Sequence, residues 1–511
     1  SYSVQNDATI LTISLNKTQP YNNKELYGDF VNLNWTSTLE VKFTDVRQDL
    51  SFIIFQVHSH LYNITLYKTK VLKEKGNYVI GTNVGLHSST KGGLDTFFVE
   101  NTNEDVDLKL FIAVHGYRIE GKRIKNKNST TDSEISPFMN VIPYNKNIKF
   151  YLLYLPENNY DPDVYFDAIR KMTTKSTIEK YGRIIPLPAK KYWNMRRRVS
   201  AYPGIGAIYV TVASISSTIY SVYVPSHSYA CSPLIESDCD LIEDSFSMFL
   251  SASLFFLGIF ICYYGHRFFK SQIFTIGFLS GLVVTYILLS LIFAIEGPAL
   301  LIASALSGLC VGAIKLTCWW LYGIPIIVIV LSSVDIGFII ASTIYYVSPG
   351  GLLYLQVDFN FWCLFILIML LITMCMLSIS YFANLLCCSL VGAYAAIYPI
   401  DHYLGSNLKY ILINTIRRAT VPDFNKAALM PPFQWRDAFL VLVWVVLATT
   451  GFLYQFYQNR GKPPFPPPPK SVRAVPEDPV EPIHPEAGDF RYVLSLLFHH
   501  HHHHHHHHYH H

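Results

Sequence analysis

Residues 245–295 read SFSMFLSASLFFLGIFICYYGHRFFKSQIFTIGFLSGLVVTYILLSLIFAI. Two uncharged runs, 245–264 and 273–295, are each about as long as the roughly 20 residues that a helix needs to cross a hydrocarbon core of about 30 Å. A short basic stretch separates them. The pattern predicts two membrane-spanning helices joined by a turn, and therefore an integral membrane protein.

The turn between these two runs carries His266, Arg267 and Lys270. Basic residues near the ends of spans favour the cytosolic side of a membrane. We therefore expect this cluster to face the cytosol, where Arg267 and Lys270 orient the chain. Contact with a lipid headgroup or a partner is the alternative role for the same cluster.

Five further apolar runs follow, so the sequence predicts seven spans. An odd number places the tail on the side opposite to the N-terminal half. The basic loop 401–437 complicates the count, because a re-entrant 383–400 would leave six spans and put the tail outside. We keep seven, and we interpret LKYILINTIRR, 408–418, as an amphipathic helix along the interface. The predicted spans are 245–264, 273–295, 299–321, 324–346, 359–379, 383–400 and 438–457.

The first 244 residues have a more ordinary polar and apolar mixture. The whole chain of 511 residues is 51% hydrophobic and 15% charged, against about a quarter charged in an average soluble chain. Alternation in 106–110, and the apolar runs 50–58 and 207–215, predict β-strands. One helix is expected after the cap Asp161, with its apolar residues on one face: Tyr165, Ile169 and Met172.

The expected fold class is a β-rich ectodomain of tandem β-sandwich-like modules plus an α-helical seven-transmembrane bundle. The His-rich end holds 12 of the 20 histidines and is interpreted as a tag or a natural tail. The predicted divisions are a first β-sandwich-like module (1–125), a second β-rich module with one helix and a local disulfide (126–244), the bundle (245–458), a proline-rich cytosolic tail (459–498) and the His-rich end (499–511).

Several features indicate passage through the secretory pathway. No charged-then-apolar leader precedes the front half, so we expect a signal peptide that has already been removed. Cys231 and Cys239 are the two cysteines before the bundle, and they predict a local disulfide in an oxidising compartment. Four N-glycosylation sequons, all before residue 244, favour a lumenal or extracellular front half. They begin at Asn16, Asn34, Asn63 and Asn128.

Some stretches are idiosyncratic enough to indicate a family. YYGHRFFKSQIFTIGF (263–278), SYACSPLIESDC (228–239) and PPFQWRDAFLVLVW (431–444) resemble the family of transmembrane 7 superfamily member 3, as do LSFIIFQVHSH (50–60) and YPGIGAIYV (202–210). The resemblance implies a glycoprotein with a signal peptide and seven spans, linked to cell survival under stress and to attenuation of the unfolded-protein response. It carries over no catalytic residue, ligand or cofactor.

Two charged residues fall inside predicted spans, Lys315 and Asp335. Intramembrane charges are costly and mark function by default, so Asp335 is a candidate for an ion or proton path, or for a structural polar pair. Counting from the turn near residue 322 leaves about 9 Å of depth mismatch between the two residues. They can pair only if the lysine stretches or the turn is offset; otherwise Lys315 extends towards the cytosolic end.

The sequence offers no catalytic residues, metal ligands or cofactor site that we would assign. Only His266 and His402 lie between residues 245 and 458, whereas a zinc-dependent membrane hydrolase needs about three histidines. The small-residue pairs Gly277/Gly281 and Gly308/Gly312 are interpreted as helix contacts. A G-protein-coupled-like receptor remains an alternative, although the turns near 321–324 and 380–383 are short and the usual receptor signatures are absent.

The tail contains KPPFPPPPK, residues 462–470. Proline runs form a polyproline II helix that aromatic grooves bind at low entropic cost. The pattern is the one that EVH1 domains prefer, and a stiff spacer is the alternative. The basic cluster in AKKYWNMRRRVS, 189–200, is either a solvated edge or an anion-binding patch. The motif residues are Phe465, Pro466, Pro467, Pro468 and Pro469.

Together these features predict a non-enzymatic seven-span membrane glycoprotein, receptor-like or scaffold. It would lie in the plasma membrane or an endomembrane, with its N-terminus extracellular or lumenal and its C-terminus cytosolic. Its expected partners are the lipid bilayer and proteins that bind the ectodomain or the tail, an EVH1-type domain among them, with no nucleic acid. The alternative function is an ion or proton channel or transporter that uses the interior of the bundle.

Overall fold

The chain forms two compact units. The first, called here the β-rich unit, comprises residues 1–243 with two later segments, 348–357 and 423–434; the second, the bundle unit, contains the rest. The computed structural model describes residues 2–5, 8–16, 23–68, 78–118, 148–186, 197–214, 220–235, 238–239, 245–293, 297–348 and 353–467.

The first module of the β-rich unit is a sandwich of two sheets. One sheet has the strand order β1-β2-β4-β9-β6-β7 and the other β3-β10-β5-β8. Among these described strands, only β2 and β4 pair in parallel. The strands are β1 (Tyr2–Gln5), β2 (Ala8–Ser14), β3 (Lys24–Leu33), β4 (Thr38–Thr44), β5 (Phe52–Ser59), β6 (Ile64–Tyr67), β7 (Tyr78–Gly81), β8 (Asn83–Ser89), β9 (Phe97–Glu100) and β10 (Leu108–Tyr117).

Alternating side chains build the core between these sheets. In β4, Leu39 and Val41 are fully buried while their neighbours are not, as expected when one face of a strand packs on the core. Phe55 of β5 stacks on Phe97 of β9 with ring centroids 4.8 Å apart, which joins the two layers. The predicted strand at 50–58 is confirmed, and the predicted β-sandwich class holds for this module.

The second module is, in its described residues, a single five-stranded sheet with two helices. Strands β12-β11-β13-β14 follow in order, and β15 pairs with β13. The prediction of one helix is therefore incomplete, because a second short helix follows the first. The elements are β11 (Ile148–Tyr154), α1 (Pro162–Lys171), α2 (Lys175–Tyr181), β12 (Arg183–Ile185), β13 (Ala207–Ser214), β14 (Tyr220–Val222) and β15 (Ser226–Ser228).

Helix α1 begins where the sequence predicts. The Asp161 side chain accepts a hydrogen bond of 2.9 Å from the backbone N–H of Asp163, and Pro162 occupies the first turn, a favourable start for a helix. Tyr165, Ile169 and Met172 are buried together, as predicted. The disulfide between Cys231 and Cys239 is also confirmed.

A segment from the second half of the chain is built into the second module. The N–H of Ala428 donates to the carbonyl oxygen of Arg198 at 2.8 Å, and the N–H of Ser200 donates back to the carbonyl of Ala428 at 3.2 Å. The Tyr154 hydroxyl donates to the carbonyl of Met430 at 2.6 Å. The connection 423–434 is therefore held by the module rather than being a free loop.

Seven long apolar helices in the described part of the chain are suited to crossing a membrane, as predicted. Helix α4 begins at Phe269, four residues earlier than expected, so Lys270 lies in its first turn and the turn itself is only 265–268. The seven are α3 (Ser245–Tyr264), α4 (Phe269–Ile292), α5 (Pro298–Tyr322), α6 (Pro325–Val347), α7 (Asp358–Leu377), α8 (Ser380–Leu404) and α10 (Trp435–Gln458).

Helix α8 is the most enclosed of these helices. Its 25 residues are long enough for a full crossing, so the six-span alternative is not needed. It packs against α3, α6 and α10. The segment predicted as an interfacial helix at 408–418 is helix α9 (Tyr410–Thr420). This helix packs on α6, and its Arg418 forms an ion pair of 2.8 Å with Asp358.

Buried histidines lie at the junction of the two β-rich modules. Asn83 connects them: its amide oxygen lies 2.7 Å from Nδ1 of His58, its amide nitrogen lies 2.9 Å from Nδ1 of His227, and it accepts from the Tyr165 hydroxyl at 2.6 Å. Both ring nitrogens of the buried His115 lack a hydrogen-bond partner among the described residues. This junction is thus built from neutral imidazoles.

Burial lowers the pKa of His58 and of His227 to about 4, and that of His115 to about 3, from an ordinary value of 6.5. Between about pH 6.5 and pH 4 the unfolded chain therefore binds more protons than the folded chain. Stability falls as the pH falls through this window, by about 1.4 kcal/mol per pH unit for each such histidine.

We therefore expect the unfolding midpoint of the β-rich unit, followed by near-ultraviolet circular dichroism of the purified full chain, to fall between pH 7 and pH 5. The His227→Gln variant replaces the imidazole by an amide that takes up no proton, so its unfolding midpoint should depend less on pH. An equal fall of the unfolding midpoint in the variant and the wild type would contradict the assignment of His227 as a neutral imidazole in the folded protein.

Candidate functional site in the helix bundle

Glycines let helices α4 and α5 meet at backbone distance, as the sequence predicts. A Cβ built on Gly312 would lie 2.7 Å from the carbonyl oxygen of Phe274. A Cβ on Gly277 would lie 2.9 Å from Cδ of Lys315. The helices can approach only because these side chains are missing, and the space above Gly277 is filled by the lysine stem.

This close contact directs Lys315 towards polar groups on two neighbouring helices. Its ammonium group donates to the Ser280 hydroxyl on α4 at 2.9 Å and lies 3.9 Å from Oδ2 of Asp335 on α6. Both charged side chains are 17% exposed. The depth mismatch predicted for this pair is overcome because the lysine extends along α4 towards the aspartate.

The ion pair is only partly satisfied by hydrogen bonds. Oδ2 of Asp335 accepts no hydrogen bond from any described residue, and 3.9 Å is too long for one. A charged pair in a low-dielectric region is held by attraction and opposed by the loss of hydration. The carboxylate therefore keeps the capacity to accept a proton or a hydrogen bond from a water molecule.

A cavity of about 210 Å³ lies beside Lys315, between α4, α5 and α6. Its lining is mostly apolar, with Lys315 and Ser332 as its most polar residues. It has room for a small apolar group or a few waters. The lining residues are Ile273, Ile276, Ile314, Lys315, Cys318, Trp319, Ile324, Ile327, Val328, Leu331 and Ser332.

His266 differs from expectation. It is only 6% exposed, whereas its neighbours Arg267 and Lys270 are exposed. Its Nδ1 lies 2.8 Å from the amide nitrogen of Asn384 on α8, and its backbone N–H donates to Oε1 of Gln455 on α10 at 2.9 Å. Burial lowers the pKa of His266 to about 4, so its imidazole is neutral at physiological pH. The headgroup contact stays a prediction for this cluster.

The structure places part of the proline-rich motif. Phe465 packs against the same end of the bundle as His266, and Pro466 and Pro467 follow it. Pro468 and Pro469 lie outside the described residues.

The predicted surface sites are partly placed. Among the predicted glycosylation sites, Asn16, Asn34 and Asn63 are exposed, as attachment of a glycan requires, and Asn128 lies outside the described residues. In the basic cluster, Arg198 pairs with Asp423 at 3.2 Å. Residues 189–196 of that cluster fall outside the described part.

Two buried aspartates escape prediction from the sequence. Asp401 accepts from the backbone N–H of Leu408 at 3.1 Å and of Lys409 at 2.9 Å, and Asp437 accepts from the Ser406 hydroxyl at 2.7 Å. Together they fix the turn between α8 and α9. Polar residues clustered in DHYLGSN, 401–407, are the only sequence signal for it.

Comparison with known protein families matches most of this chain. Three family models match successive parts: "TM7SF3-like, N-terminal immunoglobulin-like domain" at residues 19–117, "TM7SF3-like, second immunoglobulin-like domain" at 122–234, and "TM7S3/TM198-like domain" at 251–456. The modules of the β-rich unit are therefore immunoglobulin-like. No solved structure matches the chain.

Curated relatives point the same way. Transmembrane 7 superfamily member 3 of Rattus norvegicus is 34% identical over 272 residues, which is 53% of this chain and 48% of the relative. The Homo sapiens protein of that name is 31% identical over 322 residues, 62% of this chain and 56% of the relative. The chain thus spans about half the length of the curated relatives it matches.

Removing one charge of the Lys315–Asp335 pair should destabilise the bundle more than removing both. We expect Lys315→Met to lower the free energy of unfolding by about 3 kcal/mol, because it leaves a carboxylate unpaired in the bundle. Adding Asp335→Leu should recover most of that loss.

Unfolding in mixed micelles, followed by tryptophan fluorescence, measures each variant of this double-mutant cycle. Cys310→Leu, on an exposed face of α5, is the control. Additive losses in the double variant would show that the two charges do not interact.

Proposed function

Because this chain belongs to the transmembrane 7 superfamily member 3 family, we propose that it is a non-enzymatic, receptor-like glycoprotein whose immunoglobulin-like modules bind partners and pass the bound state to the bundle. Immunoglobulin-like sandwiches are frequent binding modules on cell surfaces. The stress role that the family resemblance implies, in cell survival and in attenuating the unfolded-protein response, would be the cellular outcome of that signal.

The observation that carries this proposal is the built-in connection 423–434. Ala428 exchanges backbone hydrogen bonds with Arg198 and Ser200 of the second module. The same segment joins α9 directly to α10. A partner that shifts the second module therefore pulls on the chain entering the last span, without any need for a diffusible messenger between the two.

Several observations support an orientation with the modules extracellular or lumenal and the tail cytosolic. The exposed sequons Asn34 and Asn63, and the disulfide between Cys231 and Cys239, suit an oxidising lumen. Segments 348–357 and 423–434 follow an even number of spans, and both belong to the β-rich unit. Seven spans then put the tail, with Arg460 and Lys462, on the side that basic residues prefer.

A second candidate function is ion or proton transport through the bundle. The incompletely bonded Asp335 beside Lys315, next to a cavity, favours it. Charged residues at this depth commonly mark ion or proton pathways. Transport would depend on the aspartate and not on the backbone pairing of Ala428.

Two variants separate these functions. Ala428→Pro removes the N–H that donates to Arg198, and it should abolish rescue of survival and of an unfolded-protein-response reporter in cells lacking the protein. Asp335→Asn should rescue normally if the protein is receptor-like. Ala428→Ser keeps the N–H and is the matched control, with glycan maturation and abundance measured for all three.

The reverse pattern, rescue by Ala428→Pro and failure of Asp335→Asn, would reject the receptor-like function. Proton and monovalent-ion flux in liposomes that contain the purified chain then tests transport directly. Flux that disappears in Asp335→Asn would establish a transporter.

A further inference from the structure

The chain turns back on itself after the last span. Beyond the end of α10 at Gln458, the Asn459 side chain donates to the carbonyl of Gln455 at 2.7 Å, and the N–H of Lys462 donates to the carbonyl of Asn459 at 3.1 Å. Gly461 takes a left-handed conformation with φ of 76°, and no atom beyond its two chain neighbours lies within 4 Å of the position that a Cβ would take. This glycine permits the reversal.

The reversal brings the aromatic residue of the proline-rich motif onto the bundle. The Phe465 ring lies 6.1 Å, centroid to centroid, from Phe269 and 6.1 Å from His266. Phe269 in turn packs edge-on against Trp319 at 5.0 Å. Phe465 thus joins the hydrophobic cluster that contains Ile273 and Trp319, two residues that also line the cavity beside Lys315.

The His266 ring also lies beside the start of the motif. The Asn384 amide nitrogen lies 2.8 Å from Nδ1 of His266, and the backbone of Pro464 is close enough to the imidazole to act on it. With Asn384 donating to Nδ1, the neutral ring carries its proton on Nε2, which leaves that N–H as the donor available to the Pro464 carbonyl. The bundle therefore lies against both the backbone and the aromatic ring of this segment.

The same ring is what a polyproline-binding partner would need. In KPPFPPPPK the single aromatic residue precedes four prolines, and domains that bind such helices insert ligand side chains into aromatic-lined grooves. Phe465 cannot occupy the bundle and such a groove at once. It is half-buried, and Pro467 and Lys462 are exposed, so the contact is small enough for a competing domain to displace.

We propose that the end of the bundle formed by His266, Phe269 and Trp319 is a docking site for the chain's own proline-rich motif, and that it masks Phe465 from polyproline-binding domains. A partner with an aromatic groove reaches the motif only after the motif leaves the bundle. The docking goes beyond the proposed receptor-like function, and it does not depend on which side of the membrane the tail lies.

The test uses the full chain in lipid nanodiscs with 4-fluorophenylalanine at position 465. The fluorine resonance is compared with that of the free peptide 462–470 carrying the same label. The probe is an EVH1 domain selected because it binds this free peptide. We expect a displaced resonance in the full chain, and an affinity for the domain at least tenfold weaker than that of the peptide.

Gly461 supplies the matched variants, because it lies outside both the motif and the bundle. Gly461→Val disfavours the left-handed turn and should move the resonance to the peptide position and raise the affinity at least fivefold. Gly461→Asn tolerates that conformation and should behave as the wild type. Phe269→Ala removes the ring that Phe465 packs against and should also release Phe465 from the bundle. The neighbouring Phe268→Ala is the control, and unfolding midpoints are measured for both variants.

A wild-type resonance at the peptide position would overturn the docking. Equal affinity of the full chain and the peptide for the domain would overturn the masking even if the ring is docked. The masking would also be overturned if neither Gly461→Val nor Phe269→Ala raised the affinity of the full chain for the domain.

Discussion

Hydrocarbon offers no hydrogen bonds, so polar side chains inside the bundle have to be satisfied by other parts of the protein. The described residues show two ways of meeting this constraint. Near one end, four polar residues from four segments of the chain are joined by hydrogen bonds to each other or to backbone: His266, Gln272, Asn384 and Gln455. Between α4, α5 and α6, Lys315 donates a hydrogen bond to Ser280 and forms an ion pair with Asp335. Helix order and depth follow from these partners as much as from apolar packing.

The intramembrane pair depends in turn on backbone contact. Lys315 reaches Ser280 because Gly277 and Gly312 carry no side chains where α4 and α5 meet. Its partner Asp335 keeps one oxygen without a hydrogen bond from the described residues. The attraction between the two charges holds the pair together, while the oxygen without a hydrogen bond can still accept a proton. This is the physical basis of the transport alternative.

The proposed receptor-like function would use the chain connections that lead into and out of the last span, and two contacts lie at those connections. At one, the connection 423–434 is part of the β-rich unit and leads into α10. At the other, the segment after α10 folds back so that Phe465 meets His266 and Phe269. The last span, α10, is thus flanked by the connection 423–434 before it and by the docked Phe465 after it. A movement of the chain at the start of α10 can pass along the helix to its end.

The sequence by itself determined the elements governed by local pattern. Seven apolar runs of sufficient length gave seven helices, Asp161 and Pro162 gave the start of α1, and the apolar run 50–58 gave strand β5. Spacing also located the disulfide between Cys231 and Cys239 and the glycine contacts of α4 with α5. Each follows from hydrophobicity, capping or chain proximity, which act over a few residues.

Only the tertiary structure decided which distant polar residues meet. Asn384 lies 118 positions from His266, and Asn83 lies 144 positions from His227, so no local pattern pairs them. The burial of His266, the roles of Asp401 and Asp437, and the docking of Phe465 were likewise not predictable. A buried polar group is defined by the partner that replaces its water, and that partner is chosen by packing across the whole chain.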